Sequence, residues 1–290
     1  MKSGLIVKGI GGFYYVKTDV GIIECRAQGK FRNKSLKPMI GDRVDILISE
    51  DNTGSVSNIY DRKNEFVRPP VTNIDQIILV VAAKNPEPDL MFVDKMTVIA
   101  NHKNVDLILC INKIDIGTEE TNKIKNIYER AGFKVIETSA IDGVGIDDVK
   151  EYLEGKITAF AGFSGVGKSS ILNAITDAKA ETGEISKKLK RGKHTTRHVE
   201  LFEYGENSYI MDTPGFSMLD LPYIKASELE KYFPEFTEHI GNCKFAGCTH
   251  TSEPGCTIKE CVEQGYIDEG RYMHYVEFYN RLKDIKEWEL

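Results

Sequence analysis

The chain has 290 residues, of which 41% are hydrophobic and 28% charged, with a formal net charge of −6. This composition suits a soluble globular protein of two or three domains and argues against a globally basic nucleic-acid binder. No apolar run reaches the length of a membrane span, and Lys8 interrupts the apolar stretch near the N-terminus, so no secretory signal is expected and a cytoplasmic location is.

Charge is unevenly spread. Residues 1–68 carry 12 Lys/Arg against 8 Asp/Glu, a net of +4, which leaves −10 on the remainder. A mildly basic unit on an acidic body suggests one face for a polyanion. Within 3–60, five short runs have strand composition: Leu5–Lys8, Phe13–Lys17, Gly21–Arg26, Arg43–Ser49 and Ser55–Tyr60. Turns at Gly11-Gly12, Asp19-Val20 and Asp51–Gly54 separate them, and the pattern predicts an OB-type β-barrel. The segment from Arg26 to Lys37 carries Arg26, Lys30, Arg32, Lys34 and Lys37 with no acid. Such a segment can track a phosphate backbone or simply be a solvated loop. Arg68-Pro69-Pro70 breaks the pattern and reads as a linker.

Strands and helices then alternate, as in a doubly wound α/β domain over 69–220. Ile74–Ala82 is a continuous apolar run, expected for a parallel strand buried on both faces. Asp89 is placed to cap a helix running to about His102, followed by a strand at Val105–Ile111. Thr118 is placed to cap a second helix ending near Gly132, before a strand at Phe133–Glu137 and a helix at Ile146–Leu153. Ile157–Ala161 is the next strand, and Val199–Tyr204 with Ser208–Met211 reads as a hairpin. In the tail over 221–290, Ser227–Glu230 has the capping-box pattern, and a helix near 269–288 aligns Tyr272, Tyr275, Val276, Tyr279, Leu282 and Ile285 along a packing face.

Four stretches carry chemistry. Gly162-Phe163-Ser164-Gly165-Val166-Gly167-Lys168-Ser169-Ser170 has the G-x-x-x-x-G-K-S spacing of a phosphate-binding loop, set between a strand and a helix as that loop requires. Its backbone N–H groups and the helix N-terminus favour phosphate, Lys168 can neutralise the terminal phosphates, and the Ser169 hydroxyl can ligate Mg²⁺. Asn112-Lys113-Ile114-Asp115 follows a strand. The Asp115 carboxylate can accept from N1–H and the 2-amino group of guanine, a donor pair adenine lacks, while Asn112 fixes the loop and the base edge and Lys113 lies over the ring. Thr138-Ser139-Ala140 follows the next strand and can offer a backbone N–H to guanine O6 from Ser139 or Ala140. Asp212-Thr213-Pro214-Gly215 ends another strand, where Asp212 can hold Mg²⁺ and the Gly215 N–H can meet the γ-phosphate.

Between the phosphate loop and Asp212, residues 187–198 are basic and contain His194 and Thr195-Thr196. One of the two threonines can complete the Mg²⁺ shell, and the sequence leaves open which. A basic, polar segment at this place is expected to be a mobile switch. Phe216 stands where Ras-type GTPases carry a water-orienting Gln, and a phenyl ring can neither orient nor deprotonate water. Slow intrinsic turnover is therefore expected, with His194 the best candidate to orient the attacking water once a partner orders the segment.

Cys243, Cys248, His250 and Cys256 have the spacing C-x₄-C-x-H-x₅-C. Three thiolates and an imidazole make a closed tetrahedral Zn²⁺ site of the structural kind. Cys261 is a fifth candidate and is expected to be a free thiol.

Ras-type GTPases run phosphate loop, switch threonine, D-x-x-G, N-K-x-D, then S-A. Here Asn112–Asp115 and Ser139-Ala140 come first, which indicates circular permutation. With Arg191–Thr196 and the Cys/His cluster, the arrangement resembles, over the whole chain, the circularly permuted ribosome small subunit-dependent GTPase A family, of YjeQ/YloQ type. The resemblance implies an N-terminal barrel, a permuted GTPase domain and a C-terminal zinc domain. It also implies a role in late maturation of the small (30S) ribosomal subunit, contact with its rRNA, and slow GTP hydrolysis stimulated by that subunit; it points to His194 as well. Two rivals stay open: a GTP-gated rRNA-binding module whose hydrolysis is incidental, and a permuted GTPase of large-subunit assembly. No surplus apolar stripe suggests an interface, so a monomer is expected.

Overall fold

A computed structural model of the chain describes residues 1–31, 36–177, 199–212, 216 and 219–285. Strands β1 (Lys2–Ile10), β2 (Phe13–Thr18), β3 (Gly21–Ala27), β4 (Arg43–Ile48) and β5 (Gly54–Ile59) close into a barrel in the order β1-β2-β3-β5-β4. Closure leaves no open sheet edge in this small unit. The antiparallel pairing of β1 with β4, Leu5 opposite Arg43, makes the seam.

The expected linker at Arg68-Pro69-Pro70 is instead the tip of a short hairpin, β6 (Glu65–Phe66) and β7 (Val71–Thr72). Its flanks are apolar and bury, which a free linker would not do: Phe66 and Val71 sit in the core. Polar side chains lock its base to the barrel. Asp42 accepts two hydrogen bonds from Arg62, each 2.7 Å, and one from Thr72 Oγ1 at 2.9 Å. Asn73 Nδ2 donates to the Gly41 carbonyl at 2.8 Å. One apolar core consequently runs from Ile6, Val44 and Ile46 of the barrel, through Phe66 and Val71, to Ile77 and Leu79 of the next sheet.

That sheet has the order β10-β9-β8-β11-β13-β12, with β8 at Gln76–Ala82, β9 at Asp106–Asn112, β10 at Lys134–Thr138, β11 at Ile157–Ala161, β12 at Phe202–Gly205 and β13 at Ser208–Asp212. Every neighbouring pair is parallel except β12–β13. All seven residues of β8 are buried, because both faces are covered. Ile77, Leu79 and Val81 face the core containing helices α1 (Leu90–His102) and α2 (Thr118–Arg130). Ile78, Val80 and Ala82 face α3 (Ile146–Leu153) and α4 (Lys168–Asp177). Strand order runs outward from β8 to β10 and then returns to the other side of β8 with β11. That is the topological switch point at which such sheets bind ligands.

Asp89 caps α1 as expected, accepting from Phe92 N at 2.9 Å. Thr118 is the first helical residue of α2 rather than its cap; Gly117 precedes it, and its carbonyl takes the Thr121 hydroxyl at 2.6 Å. Ser227 makes no capping box either. Residues Ala226–Tyr232 form a 3₁₀ helix, and Glu230, which would have closed the box, bonds His250 instead.

The C-terminal unit adds α5 (Thr257–Glu263) and α6 (Glu269–Lys283) around a third core of Ile224, Phe233, Phe236, Ile258, Tyr275 and Phe278. Val98 of α1 belongs to this core, while Val93, Met96 and Ile99 of the same helix face the sheet. Helix α1 is therefore clamped between two cores. Where they meet, Arg271 is 2% exposed and pairs with Asp94 of α1 and, through Nε and an NH group, with Glu235. The rings of Tyr128, Phe133 and Phe233 lie 5.3–5.4 Å from its guanidinium. Among the described residues, no helix is long and apolar enough to cross a membrane.

Candidate nucleotide site and metal centre

The phosphate-binding loop leaves β11 and ends in α4 at the C-terminal edge of the sheet. Two glycines are dictated by close approach. Gly162 has φ 136°, and a Cβ there would lie 2.2 Å from the Val80 carbonyl oxygen. Gly167 has φ 97°, and a Cβ there would lie 2.1 Å from Asn112 Nδ2. Lys168 Nζ donates to the carbonyls of Gly162 at 2.6 Å and Phe163 at 2.9 Å, so its ammonium lies across the loop. Ser164, Gly165, Ser169 and Ser170 are exposed and Val166 is buried.

One buried side chain joins three of the motifs. Asn112, at the end of β9, donates through Nδ2 to the Val166 carbonyl at 2.9 Å. Its Oδ1 accepts from the Ala140 N–H and the Thr138 hydroxyl, each at 3.2 Å. Loops following β9, β10 and β11 are thereby held in one register. Ser139 is buried and donates to Asp142 Oδ2 at 2.7 Å, closing its own turn. Lys113 takes the left-handed conformation at φ 63°, and its ammonium is held by the Asn85 carbonyl. Asp115 follows in a short 3₁₀ helix with its carboxylate exposed. A purine base placed over Lys113 can thus present its edge to Asp115, with phosphates reaching the loop at Gly162–Ser170.

Asp212 ends β13, in register with Phe160 of β11, so its backbone delivers it beside the phosphate loop. Its side chain is outside the described residues, as are Thr213, Pro214 and Gly215, and so are His194, Thr195 and Thr196. Phe216 is fully buried, its ring 5.0 Å from that of Phe66, in the core shared by the barrel and the sheet.

Sequence spacing did not show the contacts that frame this site. Phe163 lies 4.3 Å, ring to ring, from Phe92 at the start of α1. The loop at Asn85-Pro86 reaches both Lys113 and Gly165. The Asn-Pro dipeptide signalled a turn, but nothing in it signalled what the turn would touch.

The barrel carries a cleft of about 340 Å³ lined by Gly12, Phe13, Tyr14, Arg26, Phe31 and Lys37. The Arg26 guanidinium sits 4.5 Å from the Phe13 ring centroid. Of the basic run, Arg32 and Lys34 lie outside the described residues and the Lys30 side chain is not described.

In the C-terminal unit the ligating atoms of Cys243, Cys248, His250 and Cys256 all lie within 4.8 Å of one another. Cys243 and Cys256 sulfurs are 3.9 Å apart, and His250 Nδ1 is 3.6 and 3.3 Å from them. A tetrahedral Zn²⁺ with metal–sulfur bonds of about 2.3 Å sets its sulfurs about 3.8 Å apart, so the donor set fits that ion. Burial pushes the Cys248 thiol up to about 12 and raises that of Cys256 as well, and a bound cation would favour their thiolates. His250 Nε2 meets Glu230 Oε2 at 2.6 Å, which aims Nδ1 into the cluster. Cys261 lies outside the cluster, buried, with its sulfur 3.5 Å from His239 Nε2. Glu230 was not legible as a partner of His250, 20 residues away.

Comparison with known proteins agrees with this geometry. The pattern of the family described as RsgA GTPase matches residues 59–222, and that of the RsgA N-terminal domain matches residues 3–56. A protein named small ribosomal subunit biogenesis GTPase RsgA from Ruminiclostridium cellulolyticum is 46% identical, covering 100% of this chain and 96% of its own. A protein of the same name from Caldanaerobacter subterraneus is 45% identical over 99% of this chain and 97% of its own. The crystal structure of YjeQ from Thermotoga maritima superposes with a TM-score of 0.85 at 37% identity, covering 98% of this chain and 99% of that one. That of YloQ, described as a circularly permuted GTPase, gives 0.81 at 35% identity, covering 99% and 96%.

Proposed function

The chain belongs to the RsgA GTPase family, and from that premise we propose that it hydrolyses GTP in the course of small ribosomal subunit biogenesis. The observation that carries the reading is the convergence of three motif loops on Asn112 at the switch point of the sheet. Asp115 reads guanine and Lys113 covers the base; the Ala140 N–H meets guanine O6 beside its bond to Asn112 Oδ1, while the Ser139 N–H is spent on the Val144 carbonyl. Gly162–Ser170 wraps the phosphates, with Lys168 exchanging its two carbonyl partners for phosphate oxygens. Ser169 and Asp212 would hold Mg²⁺, with Thr195 or Thr196 as a further ligand, and the ion would neutralise charge developing on the phosphates. The Gly215 N–H meets the γ-phosphate.

Phe216 takes no part in orienting water, since its ring is in the core. His194 fills that role once docking on the subunit orders its segment, which makes unassisted turnover slow. We read residues 1–68, 69–220 and 221–290 as barrel, GTPase and zinc units, with Cys243, Cys248, His250 and Cys256 holding one structural Zn²⁺. The cleft at Phe13 and Arg26 supports contact of the barrel with rRNA, by stacking and charge together. The protein acts as a monomer in the cytoplasm.

Phosphate release from GTP and ATP, with and without small subunits, tests the reading in the wild type and His194→Ala. It predicts turnover of GTP alone, stimulation by the subunit, and loss of that stimulation in the variant. Undiminished stimulated turnover in His194→Ala would remove His194 from the mechanism.

A further inference from the structure

Strand β12 is joined to the barrel as well as to its own sheet. Lys8 of β1 and Glu200 form an antiparallel bridge, and the Leu201 N–H donates to the Val7 carbonyl at 2.8 Å. Lys8 Nζ meets Glu200 Oε2 at 2.9 Å, and Lys17 Nζ meets Glu203 Oε2 at 2.6 Å. Leu201 is buried and Val199 packs against the core that the barrel shares with the sheet. Because β12 runs antiparallel to β13, with Phe202 opposite Ile210, residues 199–201 lie at the edge of the sheet where β13 delivers Asp212. The barrel thus grips the chain at the catalytic edge.

His194, Thr195 and Thr196 precede Glu200 by six, five and four residues. Six residues span at most about 20 Å, so the place where Glu200 is held bounds where His194 can reach. After Asp212 the chain meets the same body a second time, through Phe216 against Phe66 of the junction hairpin. The described residues that follow the His194 segment and those that follow Gly215 are therefore both fastened to the barrel side of the molecule.

We propose that Lys8 and Glu200 are positioning residues for hydrolysis: strand β1 fixes the point at which the chain carrying His194 joins the sheet, and barrel docking acts on the site through that point. The proposal rests on the reading of function above. The pair is half-buried, with side chains 31% and 24% exposed, so its contribution to stability is small and its effect lies in geometry. Small misplacements of a catalytic group are costly to rate, so loss of the pair is expected to lower stimulated kcat about tenfold or more.

The test uses the full chain with saturating small subunits. Lys8→Glu, Glu200→Lys and the charge-swapped double variant are compared for kcat, KM for GTP, subunit affinity by cosedimentation, and melting temperature. Each single variant is expected to lose kcat with the other three quantities unchanged, and the swapped pair to recover it. Unchanged kcat in the singles, loss that merely follows subunit affinity, or no recovery in the double would each overturn the proposal. A wild type that the small subunit fails to stimulate would overturn the reading of function itself, and this proposal with it.

Discussion

Asn112 and Asp115 sit three residues apart in one motif and do different work. Asn112 is spent entirely on the protein, tying Val166, Thr138 and Ala140 together, while Asp115 turns its carboxylate outward. Replacing Asp115 by Asn keeps the shape but trades one acceptor for a donor. GTP affinity should then fall about 100-fold, or about 3 kcal/mol, and XTP, whose ring offers an acceptor there, should gain on it. Competition of both nucleotides against labelled GDP measures this; an unchanged preference for GTP would mean that another group reads the base. Phe216 makes the opposite point. Phe216→Gln restores the Ras-type residue in name only, because the position is buried against Phe66. An amide there lacks a partner, so the variant should lose about 2 kcal/mol of stability in urea unfolding and gain no turnover. At this scale the sequence was informative wherever chemistry is local, as in Gly162–Ser170. It was silent about Asn112 as a hub, whose partners lie 26 to 54 residues away.

Helix α1 is the element on which the two halves of the molecule meet. Its first turn touches the phosphate loop through Phe92 and Phe163, and Asp94 one turn on is buried with Arg271, Tyr128 and His274. Removing one partner of a buried ion pair strands the other, so Arg271→Met should cost about 3–5 kcal/mol. His274 adds a pH dependence. Its hydrogen bond to Asp94 raises its pKa above the ordinary value, against burial and Arg271, which lower it, with Glu277 also raising it. A raised folded-state pKa stabilises fully below the unfolded value of about 6.5 and is lost as pH rises through the folded one. Melting temperature against pH should therefore fall more steeply for the wild type than for His274→Asn above about pH 6.5; equal slopes would remove His274 as the source.

The C-terminal cluster was legible as four donors with metal spacing, since ligand spacing is local. Its supports were not, because Glu230, Tyr272 and Tyr275 reach His250 and Thr249 from other elements. Cys256→Ser should lose the zinc and loosen the surrounding core, whereas Cys261→Ser should keep one zinc per chain, as read by metal analysis. Zinc retained in Cys256→Ser and lost in Cys261→Ser would reassign the fourth ligand.

Across the whole molecule, element order and the rotation of the GTPase motifs were readable from strand-and-loop patterning. The joining of the units was not. Arg68-Pro69-Pro70 has linker composition, yet the hairpin it caps is pinned by Asp42 and Asn73, which join it to the barrel across 30 and 32 residues of sequence. Permutation has a mechanical consequence. The chain after Asp212 passes Phe216, in the barrel-side core, and then enters the C-terminal unit, while Glu200 and Leu201, just before β12, are held by β1. Barrel and C-terminal unit therefore both hold described residues next to the Asp212 end of β13, which supports the proposal that docking acts on hydrolysis.

The most direct test is single-turnover GTP hydrolysis at matched enzyme, alone, with small subunits, and with large subunits, each paired with a measurement of binding. The account predicts slow hydrolysis alone and with large subunits, and strong acceleration with small subunits. GTP-dependent binding to small subunits with no acceleration would contradict it and favour a nucleotide-gated RNA-binding protein; acceleration by large subunits alone would contradict the assigned partner.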